Sequence, residues 1–285
     1  MKFNLLGSGG ATKFPRPTCF CKLCEKARKL GIPYARTGPD LYLYDEAILF
    51  DTPEEIADQL NREKIKTVSR VFYTHWHNDH TQGMRIFEHL GHPNRGEDGK
   101  QSKFNRPIIV YLPEDVLPDF KQHLPSFFYF EKMGWIEIKK TKNRQKIKID
   151  SAWVTPLNIG RGKDRVRYTY LIEKNGKRAI YASCSIYGLK VDSFYENLDL
   201  LLIETGWFGD SSKTRAKLAK DHVYQDHVSF EENLDLVRKI KPKRTILIHL
   251  GGTRHIDYDQ TRKRIKPYDK ELNIEVGYDG MILEV

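Results

Sequence analysis

Four potential metal ligands stand within six consecutive residues of this chain, which read His75-Trp76-His77-Asn78-Asp79-His80. The apolar segment Ser69–Tyr73 directly before them is typical of a short strand. Alternate residues of an extended chain point the same way, so His75 and His77 can approach one cation together. Asp79 and His80 follow in the turn and can face a second cation. Because imidazole and carboxylate groups suit zinc, manganese or iron, the motif predicts a metal site at the end of this strand.

Short strand-like segments occur in both halves of the chain, and several are followed by helix signals. The strands are expected at Lys2–Leu6, Leu41–Tyr44, Ala47–Phe50, Ile108–Leu112, Lys146–Ile149, Trp153–Pro156, Tyr168–Glu173, Ala179–Ala182, Leu200–Glu204, Arg244–Ile248, Ile274–Val276 and Met281–Val285. Thr52-Pro53 indicates one helix start, and the capping box that begins at Ser229 indicates another. This pattern predicts an α/β fold of two mixed sheets packed together with helices outside. Since no linker interrupts it, we expect a single domain over residues 1–285.

The composition points to a soluble globular protein, with 39% hydrophobic and 30% charged residues. The chain has no run of eighteen apolar residues, and its opening segment resembles a strand rather than a signal peptide, so a cytoplasmic protein without a membrane partner is expected. The net charge of +10 favours anionic partners such as phosphates, nucleotides or nucleic acid, or else belongs to a solvated lysine-rich surface.

Three of the four cysteines, Cys19, Cys21 and Cys24, lie within six residues, whereas Cys184 stands far away. Without a secretory signal, such clustering indicates metal binding more than disulfides. Three thiolates on one loop lack only a fourth ligand to make a structural zinc site. The alternative is three reduced cysteines that bind no metal.

These features together resemble the metallo-β-lactamase superfamily, and most closely its phosphodiesterase branch. The nearer likeness is to phosphoribosyl cyclic phosphodiesterases, with tRNase Z as a broader relative. The matching elements run from Gly7-Ser8-Gly9-Gly10 through the cysteine cluster and the histidine motif to Val276-Gly277-Tyr278-Asp279-Gly280-Met281. The likeness implies an αββα sandwich, the arrangement of sheets and helices predicted above.

The resemblance also implies roles for individual residues. Asp79, His80 and His249 would hold one active-site ion, and His75 and His77 the other. Asp51 would orient the histidine loop, as the carboxylates around metal sites commonly do. His227 matches a histidine that assists phosphodiester cleavage, and its alternative role is that of a helix-start residue without chemistry. In the relatives a histidine completes the structural zinc site; His255 is the candidate here and His222 the reserve.

Two positions depart from the family pattern. Members supply a further histidine from a loop in the second half, but the segment here reads Thr155-Pro156-Leu157-Asn158-Ile159-Gly160-Arg161-Gly162. Members also supply a bridging aspartate, and Cys184 takes that position. A thiolate is a good zinc or iron ligand, so Cys184 could complete a site with Asp79, His80 and His249, or it could merely fill space. Because the other site keeps only two clear ligands, we expect one active-site ion, or one tightly and one weakly bound ion, rather than a matched pair.

The function implied is a metal-dependent hydrolase in which hydroxide on the metal attacks a small phosphodiester, resembling a cyclic nucleotide or a sugar phosphate. Asp79 and His227 would be catalytic, and Arg161 and Lys163 could hold the substrate anion or replace the charge of the missing ion. One alternative is a thiolate-ligated metal protein with redox or group-transfer chemistry; another is a binding protein for a phosphate ligand that does not hydrolyse it. Nucleic acid is a less favoured partner than a small anion. The sequence leaves open whether the chain forms a homodimer.

Overall fold

Fourteen strands form two seven-stranded sheets in the computed structural model, which describes residues 1–92, 107–162, 164–208, 226–250 and 256–285. The first sheet contains β1 (Lys2–Gly7), β2 (Asp40–Leu43), β3 (Ile48–Phe50), β4 (Arg70–Phe72), β5 (Ile108–Pro113), β6 (Ile136–Thr141) and β14 (Met281–Glu284). Its order is β14-β1-β2-β3-β4-β5-β6, antiparallel as far as β3 and parallel from β3 to β6.

The second sheet contains β7 (Ile147–Ile149), β8 (Ala152–Arg161), β9 (Val166–Lys174), β10 (Lys177–Ala182), β11 (Leu200–Glu204), β12 (Thr245–Ile248) and β13 (Ile274–Val276). Its order is β13-β12-β11-β10-β9-β8-β7, with β10 to β13 parallel and the hairpins of β7 to β10 antiparallel.

Strand β11 shows why the molecule is layered. Leu200 and Leu202 belong to the core between the sheets, whereas Leu201 and Ile203 belong to a second core under helices. The alternation follows from the two-residue period of a strand, and a strand that is apolar on both faces must be covered on both. Between the sheets, the ring of Phe50 lies 5.5 Å from that of Tyr170 and 5.7 Å from that of Tyr181.

The α-helices in the described part of the chain are α1 (Lys22–Leu30), α2 (Ile56–Arg62), α3 (Asn78–Thr81), α4 (Ile86–Gly91), α5 (Leu117–His123), α6 (Phe127–Lys132), α7 (Phe230–Ile240) and α8 (Tyr258–Leu272). Leu234 and Val237 of α7 and Ile265 of α8 are buried in the core beneath the second sheet. Phe120 of α5 and Phe127 of α6 are buried against Tyr73 and serve packing. The predicted two-sheet α/β sandwich with outer helices is confirmed. Among the described residues, no helix is both long and apolar enough to cross a bilayer.

One helix start differs from the prediction. Helix α2 begins at Ile56 rather than at Pro53, and Thr52 is not its cap. The Thr52 hydroxyl instead lies 2.7 Å from the Tyr73 hydroxyl, and its backbone N–H donates to the His80 carbonyl at 2.8 Å. Thr52 is therefore used to fasten the histidine motif to the end of β3. By contrast, the capping box at Ser229 is confirmed, with both of its hydrogen bonds present.

Candidate metal centre and the cavity above it

The polar side chains of the predicted site meet where parallel strands of the two sheets end. Asp51 follows β3, the histidine motif follows β4, Cys184 follows β10, and His249 follows β12. The carboxyl ends of parallel strands lie at one edge of a sheet, and ligands commonly bind there. Asp51 and His249 both have left-handed backbone conformations, with φ of 64° and 52°. Such φ values are uncommon outside glycine and mark sharp turns of the chain into this edge.

Two imidazole nitrogens in this cluster are buried and have no hydrogen-bond partner among the described residues. They are Nε2 of His75 and Nε2 of His80. The other nitrogen of each ring is engaged: His75 Nδ1 lies 3.0 Å from the Thr74 hydroxyl, and His80 Nδ1 lies 2.8 Å from Asp51 Oδ2. Buried polar atoms are normally hydrogen-bonded. Two nitrogens in one cluster without a hydrogen bond, of which His80 Nε2 only faces Asp79 Oδ2 at 3.4 Å, indicate that a ligand belongs beside them.

Asp79, His80 and His249 have the spacing of a metal site. Asp79 Oδ2 lies 3.2 Å from His249 Nε2 and 3.4 Å from His80 Nε2. Ligands about 2.0–2.1 Å from a tetrahedral zinc ion are separated from one another by about 3.3–3.4 Å. Two of the three separations therefore match those that a cation would require, and the third is within 4.8 Å, so the residues fit the metal that the motif predicts.

Cys184 belongs to two neighbouring groups of potential metal ligands. Its sulfur is within 4.8 Å of ligand atoms of His75 and His80, and also of His227, Glu204 and His249. Burial alone would raise the pKa of the Cys184 thiol, but the nearby positive charges of His249 and His227 hold that pKa well below its ordinary value. A thiolate in this position has the charge and the location expected of a ligand, so the geometry is consistent with the predicted role of Cys184.

The electrostatics of the cluster are those of closely opposed acids and bases. Burial disfavours the charged form of His80, but the carboxylates of Asp79 and Asp51 raise its pKa well above the usual value. The pKa of His249 is raised to about 10, because the Cys184 and Asp79 charges outweigh its burial. The protein thus surrounds the imidazoles of His80 and His249 with negative charge, which a divalent cation would neutralise.

Glu204 is a site residue that the sequence reasoning missed. It is fully buried at the end of β11, and its Oε2 lies 2.7 Å from His227 Nδ1. Burial would lower the pKa of His227, but the Glu204 carboxylate outweighs it and raises that pKa. The backbone N–H groups of Ser185 and Ile186 also donate to Glu204, at 2.6 and 2.8 Å. The available signal was a single carboxylate that ends an otherwise apolar strand.

His77 belongs to none of the groups of converging ligand atoms among the described residues, although its ring centroid lies 4.9 Å from that of His75. Its Nε2 lies 3.1 Å from Asp164 Oδ2, and its pKa is lowered by burial and by the charge of Arg165. Asp164 and Arg165 follow directly on the loop in which the family histidine is missing. Their sequence gave no sign of contact with His77, since the two segments meet only in the folded protein.

A cavity of about 680 Å³ opens above the cluster. Its described lining consists of Ala11, Trp76, His77, Asn78, Asp79, Asp164, Arg165, Cys184, His227 and His249. Arg161, predicted to hold the substrate anion, is instead paired with Asp119 at 2.9 Å and is not among these lining residues. Arg165 is 4% exposed and takes the place at the cavity that the sequence suggested for Arg161. Lys163 lies outside the described residues.

The cysteine cluster is assembled as the sequence predicts. Atoms of Cys19, Cys21 and Cys24 that could bind an ion all lie within 4.8 Å of one another. Cys21 precedes the first turn of α1, and hydrogen bonds from the backbone of Cys24 and from Cys19 lower its pKa to about 7. The candidate fourth ligands, His255 and His222, lie outside the described residues, so the structural zinc stays a prediction.

Comparisons with known proteins agree with this fold. The model of the β-lactamase superfamily domain matches residues 46–250, which is well over half of the chain. A crystal structure of a diphosphatase from the PhnP family has the same fold, with a TM-score of 0.73 and 22% identity over 100% of this chain and 98% of that one. Zinc-bound PqqB from Methylobacterium extorquens also matches, with a TM-score of 0.76 and 15% identity over the whole of both chains.

Among curated proteins, an octanoyltransferase of Porphyromonas gingivalis is 24% identical over 99% of this chain. The chain spans about half the length of that relative, namely 51%. The predicted family is therefore confirmed by the family model, by the histidine motif at the end of its strand and by the two-sheet fold: the chain belongs to the metallo-β-lactamase superfamily.

Proposed function

We propose that this protein is a metal-dependent hydrolase that acts on a small phosphodiester. The observation that carries the proposal is the pair of buried, unpaired nitrogens of His75 and His80. His75 and His80 converge with Cys184, and His80 also converges with Asp79 and His249. Asp79, Cys184 and His249 in turn line an open cavity. A hydrolase of this kind needs a cation site beside a cavity that admits a small anion. The potential ligands provide the first feature and the cavity the second.

Asp79, His80, His249 and Cys184 would hold the ion, which we propose to be zinc, manganese or iron. The thiolate favours zinc or iron over manganese. When bound, such a cation lowers the pKa of water and neutralises charge on a phosphate. Because His75 and His77 are the only clear ligands for a second ion, we expect the active site to bind one ion tightly.

The remaining residues would bind the substrate and move its proton. Glu204 raises the pKa of His227, so this imidazole carries a proton that it can donate to a leaving oxygen. Arg165 lines the cavity and presents a guanidinium, the group best suited to a phosphate. Asp226 lies 3.5 Å from Arg165 and holds the guanidinium in place.

The test is hydrolysis of bis(p-nitrophenyl) phosphate by protein loaded with Zn²⁺ or Mn²⁺, beside the Asp79→Asn and Arg165→Lys variants. We expect metal-dependent turnover in the wild type, near-complete loss with Asp79→Asn and a raised KM with Arg165→Lys. Arg161→Lys is the matched control, because this arginine is bound to Asp119 away from the cavity lining. No turnover with any metal, despite tight binding of inorganic phosphate, would favour the non-hydrolytic alternative.

A second candidate is cleavage of an acyl ester or thioester. It is favoured by the similarity of nearly the whole chain to part of an octanoyltransferase. It is also favoured by the pairing of the Cys184 thiol with His249 beside the cavity. Release of p-nitrophenol from p-nitrophenyl octanoate, without turnover of the phosphodiester, would select this function over the first.

A further inference from the structure

A groove of about 1020 Å³ lies beside one edge of the second sheet, on a part of the surface that the proposed reaction does not use. One wall of the groove is α8, and the other is β13 with the turn that follows it at Tyr278. None of the described residues that line this groove also lines the catalytic cavity. Any role of the groove is therefore separate from hydrolysis.

The sheet edge in this groove has free backbone groups. Strand β13 is the last of its sheet and, among the described strands, pairs only with β12, in parallel. The carbonyl of Asn273 and the N–H of Gly277 are both bonded to β12, at 2.9 Å. Because successive residues of a strand turn their backbone groups to opposite sides, those of Ile274 and Val276 face away from β12. No turn or loop in the described part of the chain bonds to them.

An edge of this kind is a template for a further strand. The side chains of Ile274 and Val276 are 2% and 4% exposed and lie in the core beneath the second sheet, so the edge is held firmly. Together these two residues present two N–H donors and two carbonyl acceptors. An extended peptide could pair with all four groups, in the way that many peptide-binding domains add a strand to an open sheet edge.

The helix beside this edge carries a row of positive charges. The chain reverses at Asn273, whose backbone is left-handed with φ of 47°, so α8 lies alongside β13. Arg262, Lys266 and Lys270 are spaced by four residues and therefore follow one face of α8, where all three are exposed and line the groove. Neighbours in this row repel each other and weaken the helix slightly, and none of the three has an ion-pair partner among the described residues.

The carboxylates of the groove do not cancel this row. Only Asp269 and Glu275 are acidic among the described lining residues, and Glu275 is already paired with Arg244 at 2.6 Å. Lys263 also lines the groove and adds a further positive charge. The groove is therefore electrostatically complementary to an anionic occupant.

We propose that this groove binds an extended acidic segment of a partner protein, which adds as a strand to β13 while its carboxylates meet the cations of α8. The two spacings agree: alternate side chains of a strand lie about 6.6–6.8 Å apart, and residues four apart on a helix are separated by about 6 Å along its axis. Every second side chain of the segment can therefore lie opposite one member of the row Arg262, Lys266 and Lys270. The sequence feature expected of the partner is accordingly an acidic residue at every second position.

The experiment measures the binding of a fluorescent peptide in which valine and glutamate alternate, by fluorescence anisotropy. We expect saturable binding to the wild-type protein, which weakens as salt is added. The variant Arg262→Gln/Lys266→Gln/Lys270→Gln should bind about 10-fold more weakly, because three exposed ion pairs together contribute about that much. All three side chains are exposed, so this variant should keep its fold, which circular dichroism checks, and its phosphodiesterase activity.

Two matched controls separate charge from strand addition. The variant Lys121→Gln/Lys132→Gln/Lys140→Gln removes the same charge from exposed positions outside the groove and should bind the peptide like the wild type. The same peptide with N-methyl groups on alternate backbone nitrogens keeps its charge but loses hydrogen bonds to β13, so it should bind at least about 10-fold more weakly.

Equal binding of the peptide by the wild type and the groove variant would overturn the proposed site, as would no binding to the wild type. Unchanged binding of the N-methylated peptide would overturn strand addition. Binding of single-stranded oligouridylate that depends on Arg262, Lys266 and Lys270, without binding of the peptide, would assign the groove to nucleic acid and overturn the proposal.

Discussion

Replacing Asp51 by asparagine tests how the protein holds its metal-binding histidines. Asp51 is fully buried; its Oδ2 lies 2.8 Å from His80 Nδ1, and its Oδ1 accepts the backbone N–H of Thr74 at 2.8 Å. Asparagine has nearly the same size but only one acceptor oxygen, so it cannot serve both donors. Loss of such an orienting group lowers metal affinity by about 10–100-fold, which corresponds to about 1.4–2.8 kcal/mol. We expect that loss in Asp51→Asn.

The assay is competition for Zn²⁺ between metal-free protein and a chromophoric chelator. Asp40→Asn is the matched control, because Asp40 is equally buried but neither carboxyl oxygen has a hydrogen-bond partner in the described part of the chain. The control should bind Zn²⁺ like the wild type. Unchanged affinity in Asp51→Asn, or an equal loss in both variants, would refute the reasoning.

Three further predictions concern buried carboxylates. Burial raises the pKa of Asp40 well above 3.8, so the contribution of this carboxyl group to stability is present at low pH and is lost as the pH rises above that value. In urea unfolding, Asp40→Asn should therefore lose less stability between pH 4 and pH 8 than the wild type does. An equal loss in both proteins would contradict this. Asp279 accepts four hydrogen bonds, two from Ser8 and two from Thr37. Asp279→Ala should therefore lower the free energy of unfolding by about 3 kcal/mol, and a loss of less than about 1 kcal/mol would contradict the importance of this network. Glu204→Gln removes the charge that raises the pKa of His227, so the alkaline limb of the kcat profile for phosphodiester cleavage should move to lower pH, and an unmoved limb would exclude His227 as the proton donor.

The fold followed from patterns that are local in the chain. Alternation and apolar runs located the strands, and the capping box at Ser229 located α7, because these signals depend on neighbours a few residues away. The prediction of where α2 starts was wrong because it also used only neighbouring residues. Thr52 and Pro53 make a good local helix start, but the contact of Thr52 with Tyr73 uses the hydroxyl elsewhere.

The histidine motif was recognisable from its own residues after a strand, and the family resemblance pointed to Cys184 and His249, which also follow strands. Asp164 and Glu204 could not. Their partners His77 and His227 lie 87 and 23 residues away, and no local pattern indicates which carboxylate will meet which imidazole. Arg161 and Arg165 illustrate the same limit. Arg161 lies in the loop without its histidine and Arg165 just after it, and the sequence does not show that Arg161 pairs with Asp119 while Arg165 lines the cavity.

The most direct test of the metal centre is anomalous diffraction at the zinc edge from crystals grown with Zn²⁺. The account predicts a peak bounded by Asp79 Oδ2, His80 Nε2, His249 Nε2 and the Cys184 sulfur, about 2.0–2.3 Å from each. A second peak is expected at the cysteine cluster of Cys19, Cys21 and Cys24. A peak at the cysteine cluster with none between Asp79 and His249 would contradict the central claim.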